Sequence, residues 1–95
     1  MALSTAEYQQ IDSAHFLHPF TDHKQLYKKG ARIIERAEGV YLYDSDGHRL
    51  LDGMAGLWTV NVGYGRKDLA EVAKQRIEQL PYYNSFFQTA NPPVI

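Results

Sequence analysis

The chain has 95 residues, 44% of them hydrophobic and 22% charged, and a formal net charge of −1. A chain this short buries only roughly 60–65% of its unfolded surface, so it is one small domain or part of a larger one, without room for a large enclosed active site. Ten scattered Lys and Arg are too few for a nucleic-acid or anionic-membrane footprint, and the lack of cysteine excludes disulfide scaffolds, thiolate nucleophiles and Cys-ligated zinc.

Met1 to Ile11 carries no basic stretch followed by an apolar run, and nothing approaches the ~20 apolar residues of a membrane span, so a cytoplasmic protein is the expectation. Residues 1–14 are polar and predict a loose or weakly helical tail. The segment from His15 to Tyr27 is broken by Pro19; Thr21 offers a cap for a short helix that Gly30 would end. Arg32 to Asp52 reads as β structure. Strand candidates are Arg32 to Ala37, Val40 to Tyr43 and His48 to Asp52, separated by a turn at Glu38-Gly39 and a stronger one at Asp44-Ser45-Asp46-Gly47. A small-residue run, Gly53 to Gly56, leads to Leu57 and Trp58. Gly63 and Gly65 then lead into a helix from about Arg66 to Leu80, with an apolar stripe at Leu69, Val72, Ala73, Ile77 and Leu80. Asp68 suits its first turn and Pro81 stops it. Asn91-Pro92 has the form of a helix start, which suggests a chain cut just there.

Candidate chemistry is sparse. His15, His18 and His23, with Asp22, offer metal-ligand types, but Pro19 interrupts them and no second cluster completes a site. Asp44-Ser45-Asp46-Gly47 puts its glycine too early for a calcium loop, and a hairpin turn explains it fully. Gly63-Tyr64-Gly65-Arg66-Lys67 could hold a phosphate at a helix start, yet its spacing matches no phosphate-binding motif. Asp12 and Asp52 make no recognisable acid–base pair, and Ser4, Ser13, Ser45 and Ser85 make no nucleophile elbow. The aromatics stand out, because Phe20, Trp58, Tyr82, Tyr83, Phe86 and Phe87 sit in Gly/Pro-punctuated segments. Such rings either pack a core or line a pocket or interface, and the residues alone favour packing.

Five segments in order resemble the class III aminotransferases, in the omega-transaminase branch that includes putrescine–pyruvate and β-alanine–pyruvate enzymes. They are His18 to Asp22, Arg36 to Asp44, Leu51 to Trp58, Asn61 to Arg66 and Pro81 to Phe87. The resemblance covers nearly everything from His15 to Ile95 and implies the α/β architecture of fold type I pyridoxal-phosphate enzymes. This chain would be an α+β N-terminal segment of it, with residues 15–95 starting the small domain. It implies a homodimer or tetramer with active sites at the subunit interface, and transfer of an amino group from an amine or omega-amino acid to a keto acid such as pyruvate. By the same resemblance Phe20, Leu57 and Trp58 line the substrate pocket, and Phe86 and Phe87 reach it from one subunit or the other. The lysine that binds pyridoxal 5′-phosphate lies downstream in the family; Lys24, Lys28, Lys29, Lys67 and Lys74 match no such position. No catalytic or cofactor-binding residue is therefore expected in this chain. The competing expectation is a stand-alone hairpin-plus-helix interaction module without catalysis.

Overall fold

The computed structural model describes residues 3–95, which divide into two units, one ending at Gly65 and the other Arg66–Ile95. The first unit begins with helix α1 (Thr5–His15), where polarity predicts a loose or weakly helical tail. Its start is held by a capping box: Glu7 N donates to Ser4 Oγ at 3.3 Å, and Ser4 N donates back to Glu7 Oε2 at 2.8 Å. The Ser4 amide first, and then the Ser4 hydroxyl, which donates to the same oxygen at 2.7 Å, hold the Glu7 carboxyl below its usual range. Helix α2 (His23–Lys29) is capped by Asp22 and not by Thr21, whose hydroxyl turns back to Pro19 O at 2.7 Å. A carboxylate accepts both the Lys24 and Gln25 amides, which one hydroxyl does less well. Gly30 ends α2 as expected at φ +75°, and a side chain there would run into Gln9.

Three antiparallel strands follow in the order β1 (Ile34–Glu38), β2 (Tyr41–Asp44), β3 (Arg49–Leu51). Against the ranges expected from the sequence, β1 starts two residues later and ends one later, β2 is shifted by one residue and β3 is shorter by one at each end; β1 carries an irregularity between Ile34 and Arg36. Arg36 faces Tyr43 across β1 and β2, its guanidinium carbon 3.5 Å from the ring centre, and Arg49 lies 4.7 Å from that of Tyr41. The turn between β2 and β3 is anchored by Asp44, the one buried polar residue among those described, whose Oδ1 accepts from the amides of Asp46 and His48 at 3.1 and 2.8 Å. Burial pushes the Asp44 carboxyl up, but the His48 amide, ring and charge and the Asp46 amide outweigh it and lower it. Helix α1 meets this turn where Thr5 Oγ1 donates to Ser45 Oγ at 2.7 Å.

In the second unit, helix α4 (Lys67–Gln79) has the predicted apolar stripe, with Leu69, Val72 and Ile77 exposed. Asp68 in its first turn is held by the Arg66 guanidinium, which lowers its carboxyl to about 2. The helix start expected at Asn91 is a single 3₁₀ turn (Pro92–Val94) without a side-chain cap.

Among the described residues no hydrophobic side chain is buried. The faces that periodicity marks as apolar are thus formed but uncovered.

Candidate substrate-pocket segments

Leu57 and Trp58 lie in α3 (Ala55–Trp58), which is a single turn of left-handed helix. Ala55, Gly56, Leu57 and Trp58 have φ of +48°, +58°, +61° and +71°. Left-handed backbone costs about 1–2 kcal/mol for each residue with a Cβ, so three of the four are strained. The strain has visible supports. Asp52 Oδ1 accepts from the Met54 and Ala55 amides at 2.9 and 3.0 Å, and Thr59 Oγ1 donates to Gly56 O at 2.9 Å. The amides of Thr59 and Val60 both reach Ala55 O at 2.9 Å. The turn presents its large side chains outward: Leu57 is 59% and Trp58 84% exposed.

Phe20, at φ +50° and fully exposed, stands at the rim of a groove of about 320 Å³ lined by Thr21, Asp22, Gln25, Leu26, Lys29 and Gly30. Leu57 and Trp58 do not line that groove. Phe86 and Phe87 belong to the second unit and pair edge to face, their ring centres 6.3 Å apart. Phe87 and Gln88 are left-handed at φ +57° and +63°. The turn is stapled by Asn84 Oδ1, which accepts from the Phe86 amide at 2.9 Å, and by Thr89 Oγ1, which donates to Phe86 O at 2.7 Å. Phe86 is 69% and Phe87 93% exposed. Sequence reasoning missed the role of Asp52; the spacing Asp52-Gly53-Met54-Ala55 is that of an aspartate accepting the amides two and three residues on.

The other candidates resolve into local structure. His18 Nε2 lies 2.8 Å from Asp12 Oδ2, and the His23 ring meets His18 O at 3.1 Å, so the two rings are separately engaged. Asp44, Asp46 and His48 bring ligand-type atoms within 4.8 Å of one another, with the Asp44 oxygens taken by the turn. Arg66, at the glycine-flanked helix start, is held by Asp68. No helix among the described residues is long and apolar enough to cross a membrane.

An exposed, strained, aromatic-bearing segment attached to a small antiparallel sheet has clear relatives. The class-III aminotransferase family model matches residues 24–94, and the chain belongs to that family. It is 59% identical over 91 residues to the putrescine–pyruvate aminotransferase of Pseudomonas aeruginosa, covering 96% of this chain and 20% of that enzyme. It is similar to a thermostable (S)-enantioselective omega-transaminase from Thermomicrobium roseum, with 44% identity and a TM-score of 0.82 over 98% of this chain and 21% of that one. Another solved neighbour, 34% identical with a TM-score of 0.77 over 90% of this chain and 19% of its own, is a thermostable omega transaminase described as variant W58G, engineered for asymmetric synthesis of enantiopure bulky amines. The chain thus spans about a fifth of the length of the relatives it matches.

Class III aminotransferases use pyridoxal phosphate. Lys24, Lys28, Lys29, Lys67 and Lys74 are all exposed in this segment.

Proposed function

We propose that these 95 residues are the N-terminal part of a pyridoxal-phosphate-dependent omega-transaminase of fold type I, which moves an amino group from an amine or omega-amino acid to a keto acid such as pyruvate. In this reading Phe20, Leu57 and Trp58 line the pocket against the carbon chain or ring of the amine, and Phe86 and Phe87 reach it from one subunit or the other. Pyridoxal phosphate, bound by residues outside this chain, supplies the carbonyl that carries the amino group. The residues here bind and orient the substrate and exclude water from its apolar end.

The single observation that carries the reading is the backbone. Phe20, Leu57, Trp58 and Phe87, four of the five side chains named, stand on left-handed residues, and strain of this kind gathers where side chains must be aimed at a ligand. The W58G neighbour engineered for bulky amines is consistent with a tryptophan that limits substrate size. Uncovered faces on the sheet and on α4 fit a segment completed by the rest of the enzyme and by a second subunit of a homodimer. The same lack of buried hydrophobic side chains counts against an interaction module that folds by itself.

The test is to purify the full-length enzyme with pyridoxal phosphate and supply putrescine and pyruvate. Alanine should form one for one with pyruvate consumed, and only when both substrates are present. No alanine from putrescine, a longer omega-amino acid or an aryl amine overturns the proposal.

A further inference from the structure

The stretch from Asp52 to Tyr64 is a loop closed at its neck. Asp52 N donates to Val40 O at 2.9 Å, and Tyr64 pairs with Gly39 through two backbone bonds of 2.8 and 3.1 Å. Both ends therefore rest on the turn between β1 and β2. Gly63 permits the close approach: its φ is +82°, and a Cβ there would lie 2.9 Å from Gly39 O. Across the neck the Tyr64 hydroxyl donates to Asp52 Oδ2 at 2.6 Å. The other oxygen, Oδ1, accepts from the amides of Met54 and Ala55, the residues that enter the left-handed turn. One carboxylate thus joins the neck of the loop to the start of α3.

Both partners are half-buried, and each holds the other in its bonding state. The Tyr64 hydroxyl, then the Met54 amide, lowers the Asp52 carboxyl, while the bond to Asp52 raises the Tyr64 phenol. Left-handed backbone is disfavoured for residues with a Cβ, so bonds from outside the turn must hold it and with it the direction in which Leu57 and Trp58 leave the backbone.

We infer that Tyr64 and Asp52 are positioning residues, a clip that fixes the Leu57–Trp58 wall and thereby sets how strongly the enzyme discriminates bulky from slender amines. This rests on the pocket role proposed above for Trp58. Displacing a binding wall by about 1 Å changes the fit of a ligand that touches it and leaves alone one that does not.

The test uses the full-length holoenzyme and Tyr64→Phe, which removes one oxygen and keeps the ring. Hydrogen exchange of the peptide spanning 54–60 should quicken by about threefold or more. The ratio of KM for 1-phenylethylamine to KM for butylamine should shift by about threefold or more, with kcat moving less. In a Trp58→Gly background the shift in that ratio should vanish, because the wall it acts through is gone. Asp52→Asn, which keeps an oxygen for the two amides but alters the partner of Tyr64, should give an intermediate result, and it replaces Tyr64→Phe if that variant does not fold. An active wild type whose ratio is unchanged by Tyr64→Phe overturns the clip alone, as does unchanged exchange. A wild type inactive on every amine overturns the functional reading and the specificity role with it.

Discussion

Two aspartates in this chain do the same local job for opposite ends. Asp44 gathers the amides of Asp46 and His48 into the β2–β3 turn, and the only left-handed residue there is Gly47, at φ +85°. Asp52 gathers the amides of Met54 and Ala55, but the left-handed residues that follow are Ala55, Gly56, Leu57 and Trp58. In the first turn a glycine absorbs the awkward backbone and the strands close with little strain. In the second, large apolar residues absorb it and remain exposed. A hairpin turn needs only to reverse the chain, whereas a strained turn bearing Trp58 is hard to explain by the stability of this segment.

The largest expected effect breaks the comparison at Trp58. Replacing a large core side chain by a small one costs about 3–5 kcal/mol. Trp58→Gly in the full-length enzyme should instead hold or raise the melting temperature, because glycine accepts φ +71° without strain. Preference for a bulky over a slender amine, measured as the ratio of kcat/KM values, should change by roughly tenfold or more. A collapse in stability with unchanged preference would make Trp58 a core residue.

A smaller effect sharpens the comparison through the glycines. Gly47 has nothing within 4 Å of a built Cβ, so Gly47→Ala should cost the backbone strain alone, about 1 kcal/mol. Gly63→Ala adds an overlap with the Gly39 backbone oxygen, which cannot swing aside, and should cost about 2–3 kcal/mol. Denaturation midpoints of the two full-length variants decide it. Equal losses would mean that the neck of the Asp52–Tyr64 loop is loose.

The same contrast explains what was legible in the residues. Asp-Ser-Asp-Gly after the β-rich run Val40 to Tyr43 encodes its turn locally, and the stripe of α4 encodes its helix, so both are readable to within a residue or two. The first helix was underread because its stability lies in the Ser4–Glu7 capping box and in bonds such as Thr5 to Ser45, 40 residues on, and not in an apolar stripe. The left-handed turn was not readable at all. Local propensity argues against Leu57 and Trp58 at positive φ; the long-range bond from Tyr64, the paired amides at Asp52 and the bonds of Thr59 and Val60 back to Gly56 O and Ala55 O hold them there. Resemblance to a family named the five pocket side chains, whereas the residues by themselves favour packing; among the described residues all five are exposed.

The smallest effect is spectroscopic, and it separates the two aspartates by pH. Asp52 is lowered from 3.8 in the folded chain, so its contribution is whole above 3.8 and is lost as pH falls through the lowered value. Tyr64 is raised from 10.0, so its contribution is whole below 10.0 and is lost as pH rises through the raised value. The side-chain bond between Asp52 and Tyr64 is therefore expected to be whole between these limits and to weaken beyond either, while the backbone bonds of the neck do not titrate. Asp44 is also lowered from 3.8, with no phenol in its bonding set, so the hairpin turn lacks that alkaline limit. Tyrosinate absorbance of the full-length enzyme, taken as the difference from Tyr64→Phe, should titrate above 10.0. Asp52→Asn should bring that titration back toward 10.0, because the acceptor that raises it and its charge are both removed. A wild-type titration already at 10.0 would mean that the hydroxyl does not meet the carboxylate, and the two aspartates would then differ only in the residues that follow them.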